Sequence, residues 1–378
     1  MTFIIFITLI AGLQIIHRRL LHQLLPRRCD RWTLAALVLI HLPLAFYMGI
    51  RLTGHGNALP WLRPLARGGA YFQMLTVMDL LVWSAASLVW RWTHLWRTQG
   101  KEPPENPQRR KFLRQTSVVG VGLAGYGVLR GSIEAHSDPD IIRLELSFPD
   151  LPPGLDGLRL VQISDLHAGP LVLPWQVQRW RRLAEGERPD LLVITGDMVD
   201  SLPHEAGVVA DAFRGFRAPL GCYAILGNHD YYSDAEAVSD AVRAAGVTLL
   251  VNEGRVIRPG DGGGFALLGL DDQWSHKYGG PGPRLSPALA RISPDLPRIL
   301  LSHQPDTFEH YAGRVALQLS GHTHGGQIRP ANLVLKWVAG RYERDGSTLY
   351  VNRGFGVAGP PARLGVPPEL TKIILVAA

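Results

Sequence analysis

The chain has 378 residues, enough for one sizeable domain and an additional module, and 46% of them are hydrophobic. Its formal net charge of +7 is unevenly distributed, because residues 1–137 hold 16 Lys/Arg against 5 Asp/Glu, whereas residues 138–378 hold 23 against 27. The second part is therefore mildly acidic, and the overall basic charge does not indicate a nucleic-acid-binding protein.

Four apolar runs mark the first part of the chain. They are Met1–Ile16, Thr33–Ile50, Ala70–Trp90 and Gln115–Leu129. The second and third approach the ~20 residues that a membrane-spanning helix needs, and the first and fourth are shorter. We therefore predict that residues 1–137 form a membrane region with three to four transmembrane segments in the inner (plasma) membrane, followed by a separate domain over residues 138–378.

Basic residues between the apolar runs predict their orientation. The loops at 17–32 and 91–114 are rich in Arg, which places both in the cytoplasm. If residues 115–129 also cross the membrane, the following domain lies outside the cytoplasm, and this is the arrangement that we predict. The flanking sequence "RRKFLRQTSVVGVGLAGYG" resembles a twin-arginine export signal, while an ordinary membrane helix with a basic end explains it equally well.

From about Asp138 onward, short apolar runs alternate with Gly, Pro and Asp. The runs predicted as strands are "IIRLELSF", "LRLVQIS", "DLLVIT", "CYAIL", "VTLLV", "FALLGL", "RILLS", "VALQLS", "TLYVN" and "KIILVA". Several are apolar throughout, as expected for strands buried on both faces, and segments such as Trp175–Glu185 and Asp234–Ala245 read as helices between them. The alternation predicts an α/β domain in which helices cover a sheet or a pair of sheets.

Metal-ligating side chains follow five of these predicted strands. They are Asp165 and His167 in "QISDLHAG", Asp197 in "VITGDMVD", Asn228 in "AILGNHDYY", His303 in "LLSHQPD", and His322 and His324 in "LSGHTHGGQ". A single Gly-Asp or His is usually a turn or a surface residue. Five sets of such side chains at strand ends indicate a shared site instead of turn or surface residues, because the carboxyl ends of the strands of an α/β sheet open into one crevice.

In order, the motifs Asp-x-His, Gly-Asp-x-x-Asp, Gly-Asn-His-Asp, a single His and Gly-His-x-His resemble those of the calcineurin-like metallophosphoesterase superfamily. The ending "GHTHGGQ" is similar to its bacterial membrane-anchored branch, as is "LYVNRGFG" followed by "PPEL". The resemblance implies an α/β four-layer sandwich of two mixed β-sheets flanked by helices. It also implies a metal-dependent phosphoric ester hydrolase.

Carried over residue by residue, the resemblance implies two divalent metal ions. The first would be held by Asp165, His167, Asp197 and His324. The second would be held by Asp197, Asn228, His303 and His322, with Asp197 bridging. Imidazole and oxygen ligands without thiolate suit Mn, Fe or Zn, and two ions ~3.5–4 Å apart suit phosphoester hydrolysis.

The resemblance also implies roles for residues that do not bind the metal ions. His229 would not bind metal but would lie next to the leaving-group oxygen, as a proton donor or as a hydrogen-bonding cation. Asp230 would orient its imidazole and favour its charged form. Asp200 completes its motif without being a ligand, and it either supports the ligands or forms a turn. Arg353 either reaches a substrate phosphate or forms a structural salt bridge. His276 lies in "DDQWSHKYGGPGPR", which is either a loop over the site or a surface excursion.

The substrate stays open at this point, because the same motifs serve phosphomonoesters, phosphodiesters and pyrophosphates. A membrane anchor favours a lipid-linked or cell-envelope phosphoester. Members similar to this branch are linked to phosphodiesterase activity or to a UDP-2,3-diacylglucosamine pyrophosphatase step of lipid A synthesis, and the latter takes place at the cytoplasmic face of the membrane. The resemblance therefore predicts hydrolysis of phosphodiester or pyrophosphate bonds. A membrane-anchored binding protein without turnover is a further alternative, disfavoured because no expected ligand position is missing.

Overall fold

The computed structural model describes residues 107–148, 151–260, 263–329, 335–359 and 361–377, together with single positions between 42 and 89. The chain divides into two compact units, Met1–Ser132 and Ile133–Ala378. Apart from those single positions, the first three predicted apolar runs lie outside the described residues.

The fourth apolar run lies in the first fully described helix, α1 (Pro107–Ala135). In the described part of the chain, no helix is both long enough and apolar enough to cross a membrane. The predicted fourth span is therefore unsupported. Its uncharged stretch, between Arg114 and Arg130, is shorter than the ~20 residues of a spanning helix.

Twelve strands and six further helices follow within the described residues. The strands are β1 (Asp140–Phe148), β2 (Arg159–Ile163), β3 (Leu191–Thr195), β4 (Cys222–Ile225), β5 (Thr248–Leu249), β6 (Glu253–Ile257), β7 (Phe265–Gly269), β8 (Arg298–Leu301), β9 (Leu317–Ser320), β10 (Gly340–Arg344), β11 (Ser347–Val351) and β12 (Glu369–Ala377). The helices are α2 (Pro174–Gly186), α3 (Ala206–Phe213), α4 (Asn228–Ser233), α5 (Ala235–Ala244), α6 (Leu285–Leu289) and α7 (Phe308–Tyr311).

The strands form two mixed six-stranded sheets. The first has the order β1-β12-β2-β3-β4-β5 and the second β10-β11-β9-β8-β7-β6. Strands β2, β3 and β4 run parallel to one another, and so do β7, β8 and β9. Antiparallel pairs occur where β12 meets β2, where β10 meets β11 and where β6 meets β7.

Alternation along each strand divides its side chains between two cores. Leu191 and Val193 of β3 lie in a cluster that also contains Leu267 and Leu317 of the second sheet, so this cluster lies between the sheets. The alternate residues of β3 lie in another cluster with Trp180 of α2 and residues of α3 and α5. A smaller cluster joins the second sheet to α6.

The domain therefore has four layers in the order helices, sheet, sheet and helices, as the resemblance to the calcineurin-like superfamily implies. The predicted sandwich of two mixed sheets flanked by helices is confirmed, and each of the ten predicted strands is present. Because β2, β3 and β4 are parallel neighbours and β8 and β9 are parallel neighbours, their carboxyl ends share one edge in each sheet.

Candidate metal centre

The predicted ligands lie at those carboxyl ends. Asp165 and His167 follow β2, Asp197 follows β3, and Asn228 begins α4 immediately after β4. In the second sheet, His303 follows β8, and His322 and His324 follow β9. Six of the seven are buried, and His322 is half-buried.

Five of these seven residues have a left-handed backbone. The φ angles are 51° at Asp165, 45° at His167, 51° at Asp197, 71° at His322 and 50° at His324. This conformation costs a residue with a Cβ about 1–2 kcal/mol, so it persists only where the surrounding structure enforces it. The strand ends thus turn sharply and direct side chains into the crevice.

Asp165, His167 and His324 form the first cluster that could hold a metal ion. The Nε2 atoms of His167 and His324 are 3.0 Å apart, and Asp165 Oδ1 lies 3.5 Å from His324 Nε2 and 4.0 Å from His167 Nε2. Two nitrogens each ~2.1 Å from one ion would be separated by about this distance. The three ligand atoms therefore converge on a space of suitable size.

Asp197, His303 and His322 form the second cluster. Nδ1 of His303 lies 2.8 Å from the carbonyl oxygen of Thr195, so it donates there and leaves Nε2 as the ligand atom. Nε2 is buried without a hydrogen-bond partner, although Asp197 Oδ2 lies only 3.2 Å away. The two atoms are close without hydrogen-bond geometry, as expected for two ligands of one ion.

Asp197 stands between the two clusters. Its Oδ2 lies 3.2 Å from Nε2 of His303 and 3.6 Å from Nε2 of His167, so a single oxygen faces an imidazole of each cluster. Its Oδ1 accepts a 2.8 Å hydrogen bond from the backbone N–H of His229, which fixes the carboxylate. This is the position that a bridging ligand requires.

Asn228 is buried beside the second cluster. Its Oδ1 lies 3.5 Å from Nε2 of Gln304, the residue that follows His303. The amide of Gln304 also donates to Asp272, 2.6 Å away. The predicted seventh ligand therefore lies where the loops after β4 and β8 meet.

The pKa shifts differ among the imidazoles of the two clusters. Burial lowers the pKa of His167 to about 3 and that of His322 to about 4, so both are neutral and have a free lone pair. Burial also lowers the pKa of His303, but the carboxylates of Asp197 and Asp165 outweigh it and raise the pKa well above its usual value. A bound cation would replace that proton.

His229 lies against the first cluster. Its ring centroid is 4.5 Å from that of His167, and its Nδ1 lies 2.6 Å from the carbonyl oxygen of Asp200, to which it donates. Burial lowers its pKa, but Asp197 and Asp200 outweigh burial and raise it above the usual value. His229 also falls within a possible metal-binding group with His167 and Asp197.

Asp230 does not orient the imidazole of His229 by a hydrogen bond, although its charge helps to raise the pKa of that imidazole, as predicted. Its Oδ1 accepts from the backbone N–H groups of Met198 (2.9 Å) and Val199 (3.1 Å), and its Oδ2 accepts from Gly227 (2.9 Å). Asp230 thus joins the loops after β3 and β4 and does not hydrogen-bond the imidazole of His229. The group that orients the imidazole is the carbonyl of Asp200, which no side-chain motif can reveal.

Sequence reasoning missed Arg363, a fully buried arginine. Its Nη2 lies 3.1 Å from Nδ1 of His324, and it also donates to the carbonyls of Gly354 (3.1 Å) and Gly356 (2.6 Å). A guanidinium can only donate, so Nδ1 of His324 accepts and Nε2 is turned toward His167. For Nε2 of the neutral ring to bind a metal ion, the ring proton must move to Nδ1, and Nδ1 would then no longer accept from Arg363.

Arg353 follows the second of its two predicted alternatives. Its Nε donates to Glu369 at 2.5 Å, and its Nη2 donates to Asp140 at 3.1 Å. The side chain thus forms structural salt bridges that connect β12 to the start of β1. His276 is exposed, and its Nδ1 lies 2.8 Å from the carbonyl of Gln273 in its own loop.

Gly321, before the two histidines of "GHTHGG", has no room for a side chain. A Cβ there would overlap Ser164 Oγ and the carboxylate of Asp165. We expect Gly321→Ala to displace Asp165, lower metal affinity by about 10- to 100-fold, and destabilise the fold by about 1–3 kcal/mol. Metal titration and thermal unfolding measure both effects. Gly207→Ala in α3, where a Cβ meets nothing within 4 Å, is the control, and equal behaviour would contradict this packing.

Comparison with known proteins agrees with this geometry. The family described as calcineurin-like phosphoesterase matches residues 158–326, which contain the candidate ligands. An uncharacterized metallophosphoesterase of Bacillus subtilis, YkuE, is 33% identical over 290 residues, covering 71% of this chain and 97% of that protein. This chain belongs to the metallophosphoesterase family. The family is one of metal-dependent phosphoester hydrolases.

Another metallophosphoesterase relative is longer than this chain. A bovine (Bos taurus) "transmembrane protein with metallophosphoesterase domain" is 37% identical in an alignment of 272 positions that covers 66% of this chain and 60% of that protein. The chain thus spans about 60% of that relative's length. Among solved structures, an NAD nucleotidase of Haemophilus influenzae matches with a TM-score of 0.36 and 16% identity, over 53% of this chain and 45% of that one.

Proposed function

We propose that this chain hydrolyses phosphoesters with two divalent metal ions. The observation that carries the proposal is the position of Asp197, whose Oδ2 faces His303 at 3.2 Å and His167 at 3.6 Å. One carboxylate oxygen between two buried imidazoles, one from each cluster, suits a pair of neighbouring cations better than a single one. Family membership supports the reaction class.

The two proposed ligand sets share Asp197. The first comprises Asp165, His167, Asp197 and His324, and the second Asp197, Asn228, His303 and His322. Imidazole and oxygen donors without thiolate fit Mn, Fe or Zn. When bound, such ions would stabilise the negative charge that develops on the phosphoryl oxygens.

The protein's own part in the reaction is assigned to His229. Its Nδ1 donates to the carbonyl of Asp200, so Nε2 is the nitrogen that can give a proton to a leaving oxygen. The raised pKa of His229, set by Asp197 and Asp200 against the opposing effect of burial, favours the protonated form that this role needs. Asp230 contributes by holding the backbone around His229.

Hydrolysis of bis(p-nitrophenyl) phosphate tests the reaction class. We expect the full-length, detergent-extracted chain to release p-nitrophenolate with added Mn²⁺, and to lose this activity with EDTA and regain it with Mn²⁺. The seven ligand positions are all present, so absence of hydrolysis with each of Mn²⁺, Fe²⁺ and Zn²⁺ would favour the alternative of a binding protein without turnover.

We further propose that residues 1–137 anchor the catalytic domain, residues 138–378, in the inner membrane near a lipid-linked or cell-envelope phosphoester. Support comes from the apolar runs of the sequence and from the relatives named transmembrane proteins. The full-length chain should stay in the membrane pellet after an alkaline carbonate wash and leave it only with detergent. Release by carbonate alone would contradict the anchor.

The side of the membrane separates two substrate classes. A reporter fused after Ser137 should give an extracytoplasmic signal if residues 115–129 cross, because both strongly basic loops precede them. A cytoplasmic signal would instead favour the second candidate function, hydrolysis of substrates of the UDP-2,3-diacylglucosamine type.

A further inference from the structure

The segment "DDQWSHKYGGPG", residues 271–282, is fixed firmly beside the candidate site. The carboxylate of Asp271 accepts from the hydroxyl of Tyr231, from Ser275 Oγ at 2.6 Å and from the N–H of Gly282 at 3.1 Å. Asn252 donates to the carbonyl of Gly282 at 2.8 Å and accepts from the N–H of Asp271 at 3.1 Å. Both ends of the segment are therefore held by buried polar groups.

The same segment is tied to the second cluster. Asp272 Oδ1 accepts from the N–H of Trp274 at 2.7 Å, and its Oδ2 accepts from Gln304 at 2.6 Å. Gln304 directly follows His303, whose Nε2 faces Asp197. Hydrogen bonds through Asp272 and Gln304 thus connect Trp274 to the residue next to His303. The segment lies along one side of the candidate site.

Three aromatic rings of this region form a continuous surface, which we call the aromatic wall: Tyr232, Trp274 and Tyr278. The centroid of Tyr232 lies 6.1 Å from that of Trp274, with 27° between the planes, and 5.5 Å from that of Tyr278. Two rings of the wall, the central Tyr232 and Trp274, contact histidines of the site. Tyr232 lies 5.0 Å from His229, and Trp274 lies 5.8 Å from His322, edge to face.

The wall faces solvent. Tyr278 is 51% exposed and Tyr232 is 36% exposed, so these rings do not serve as core residues. The amine of Lys277 lies 4.6 Å from the ring centroid of Trp274 and adds a positive charge. Ring surface beside a cation binds flat groups that carry negative charge, because stacking and ion pairing act together.

We propose that the aromatic wall binds the base of a nucleoside phosphate, whose phosphoryl group then lies at the metal centre. The inference rests on the proposed function, because His229 is taken to face the leaving group and Tyr232 adjoins His229. A substrate whose leaving group is the nucleoside would extend from His229 along Tyr232 to Tyr278. Stacking of one base contributes about 1–3 kcal/mol, which corresponds to roughly 5- to 150-fold in affinity.

Two ligands that differ only in the base test this inference. Calorimetric titration of the Mn²⁺-loaded full-length protein should give adenosine 5′-monophosphate an affinity at least about fivefold higher than ribose 5-phosphate. Tyr278→Ala should reduce that ratio to near one, whereas Tyr278→Phe, which keeps the ring, should preserve it. Lys277→Met should lower the affinities for both ligands by the same factor, because it removes a positive charge and leaves all the rings in place.

Equal affinities of the two ligands for the wild-type protein would overturn the inference, and so would an unchanged ratio in Tyr278→Ala. Tyr278 is half exposed, so its loss should leave the fold intact, which thermal unfolding verifies. Turnover of methyl p-nitrophenyl phosphate, which has no base, is measured in parallel. If that turnover is absent in the wild type, the proposed function fails, while the binding ratio still decides whether the wall takes a base.

Discussion

Asp197→Asn should abolish metal loading and turnover together while the fold survives. The amide can still accept from the N–H of His229, which Asp197 Oδ1 does at 2.8 Å, so the loop keeps its shape. What disappears is the negative charge of Oδ2, which lies between His303 and His167. Metal ions contribute several kcal/mol of transition-state stabilisation, so turnover should fall by about 10²- to 10³-fold or more.

Elemental analysis and initial rates at saturating Mn²⁺ measure both losses. Asp190→Asn is a matched control, because Asp190 lies just before β3 and Asp197 just after it. Asp190 pairs with Arg159 at 2.7 Å on the partly exposed opposite end of the strand, so its loss should leave metal and activity unchanged. Full metal content with near-normal turnover in Asp197→Asn would remove the bridging assignment.

The sequence predicts the candidate ligand positions because they directly follow its apolar strands. A buried apolar run ends in a glycine or a sharp turn, and the ligand follows at a set spacing, as with Asp197 after β3. The parallel arrangement of β2, β3 and β4 then brings the ends together without further information. Local pattern and topology are sufficient for this part of the site.

Two strands without a strong apolar pattern were not predicted. β6 (Glu253–Ile257, "EGRVI") and β10 (Gly340–Arg344, "GRYER") carry charged residues, and all their residues except Ile257 are exposed or half-buried. They are the two edges of the second sheet, where only one neighbour is hydrogen-bonded and burial is incomplete. Hydrophobic periodicity is weak at such edges, so the sequence predicts central strands better than edge strands.

Contacts between distant loops also could not be predicted from the sequence. Asp230 follows His229 in the chain, yet it bonds backbone N–H groups at Met198 and Val199. Arg363 reaches His324 from 39 positions away, through a guanidinium that also binds backbone carbonyls. Such partners depend on backbone groups, which carry no residue-specific signal, and they become visible only when the loops are folded.

His229→Ala should separate catalysis from metal binding. His229 Nδ1 donates to the carbonyl of Asp200, so its Nε2 is the group that the proposed function uses as a proton donor. Metal content should stay intact, and turnover should fall by ~10²- to 10⁴-fold, the usual contribution of a general acid. His310→Ala, an exposed histidine on α7, is the control and should behave as the wild type.

The size of this loss should depend on the leaving group. A substrate that releases p-nitrophenolate needs little protonation and should be affected least by His229→Ala, whereas an alkyl phosphodiester should be affected most, because an alkoxide is a poor leaving group without a proton. Equal losses on both substrates would mean that His229 acts mainly on the phosphoryl charge. Loss of one metal ion would instead make it a ligand, which its proximity to His167 and Asp197 permits.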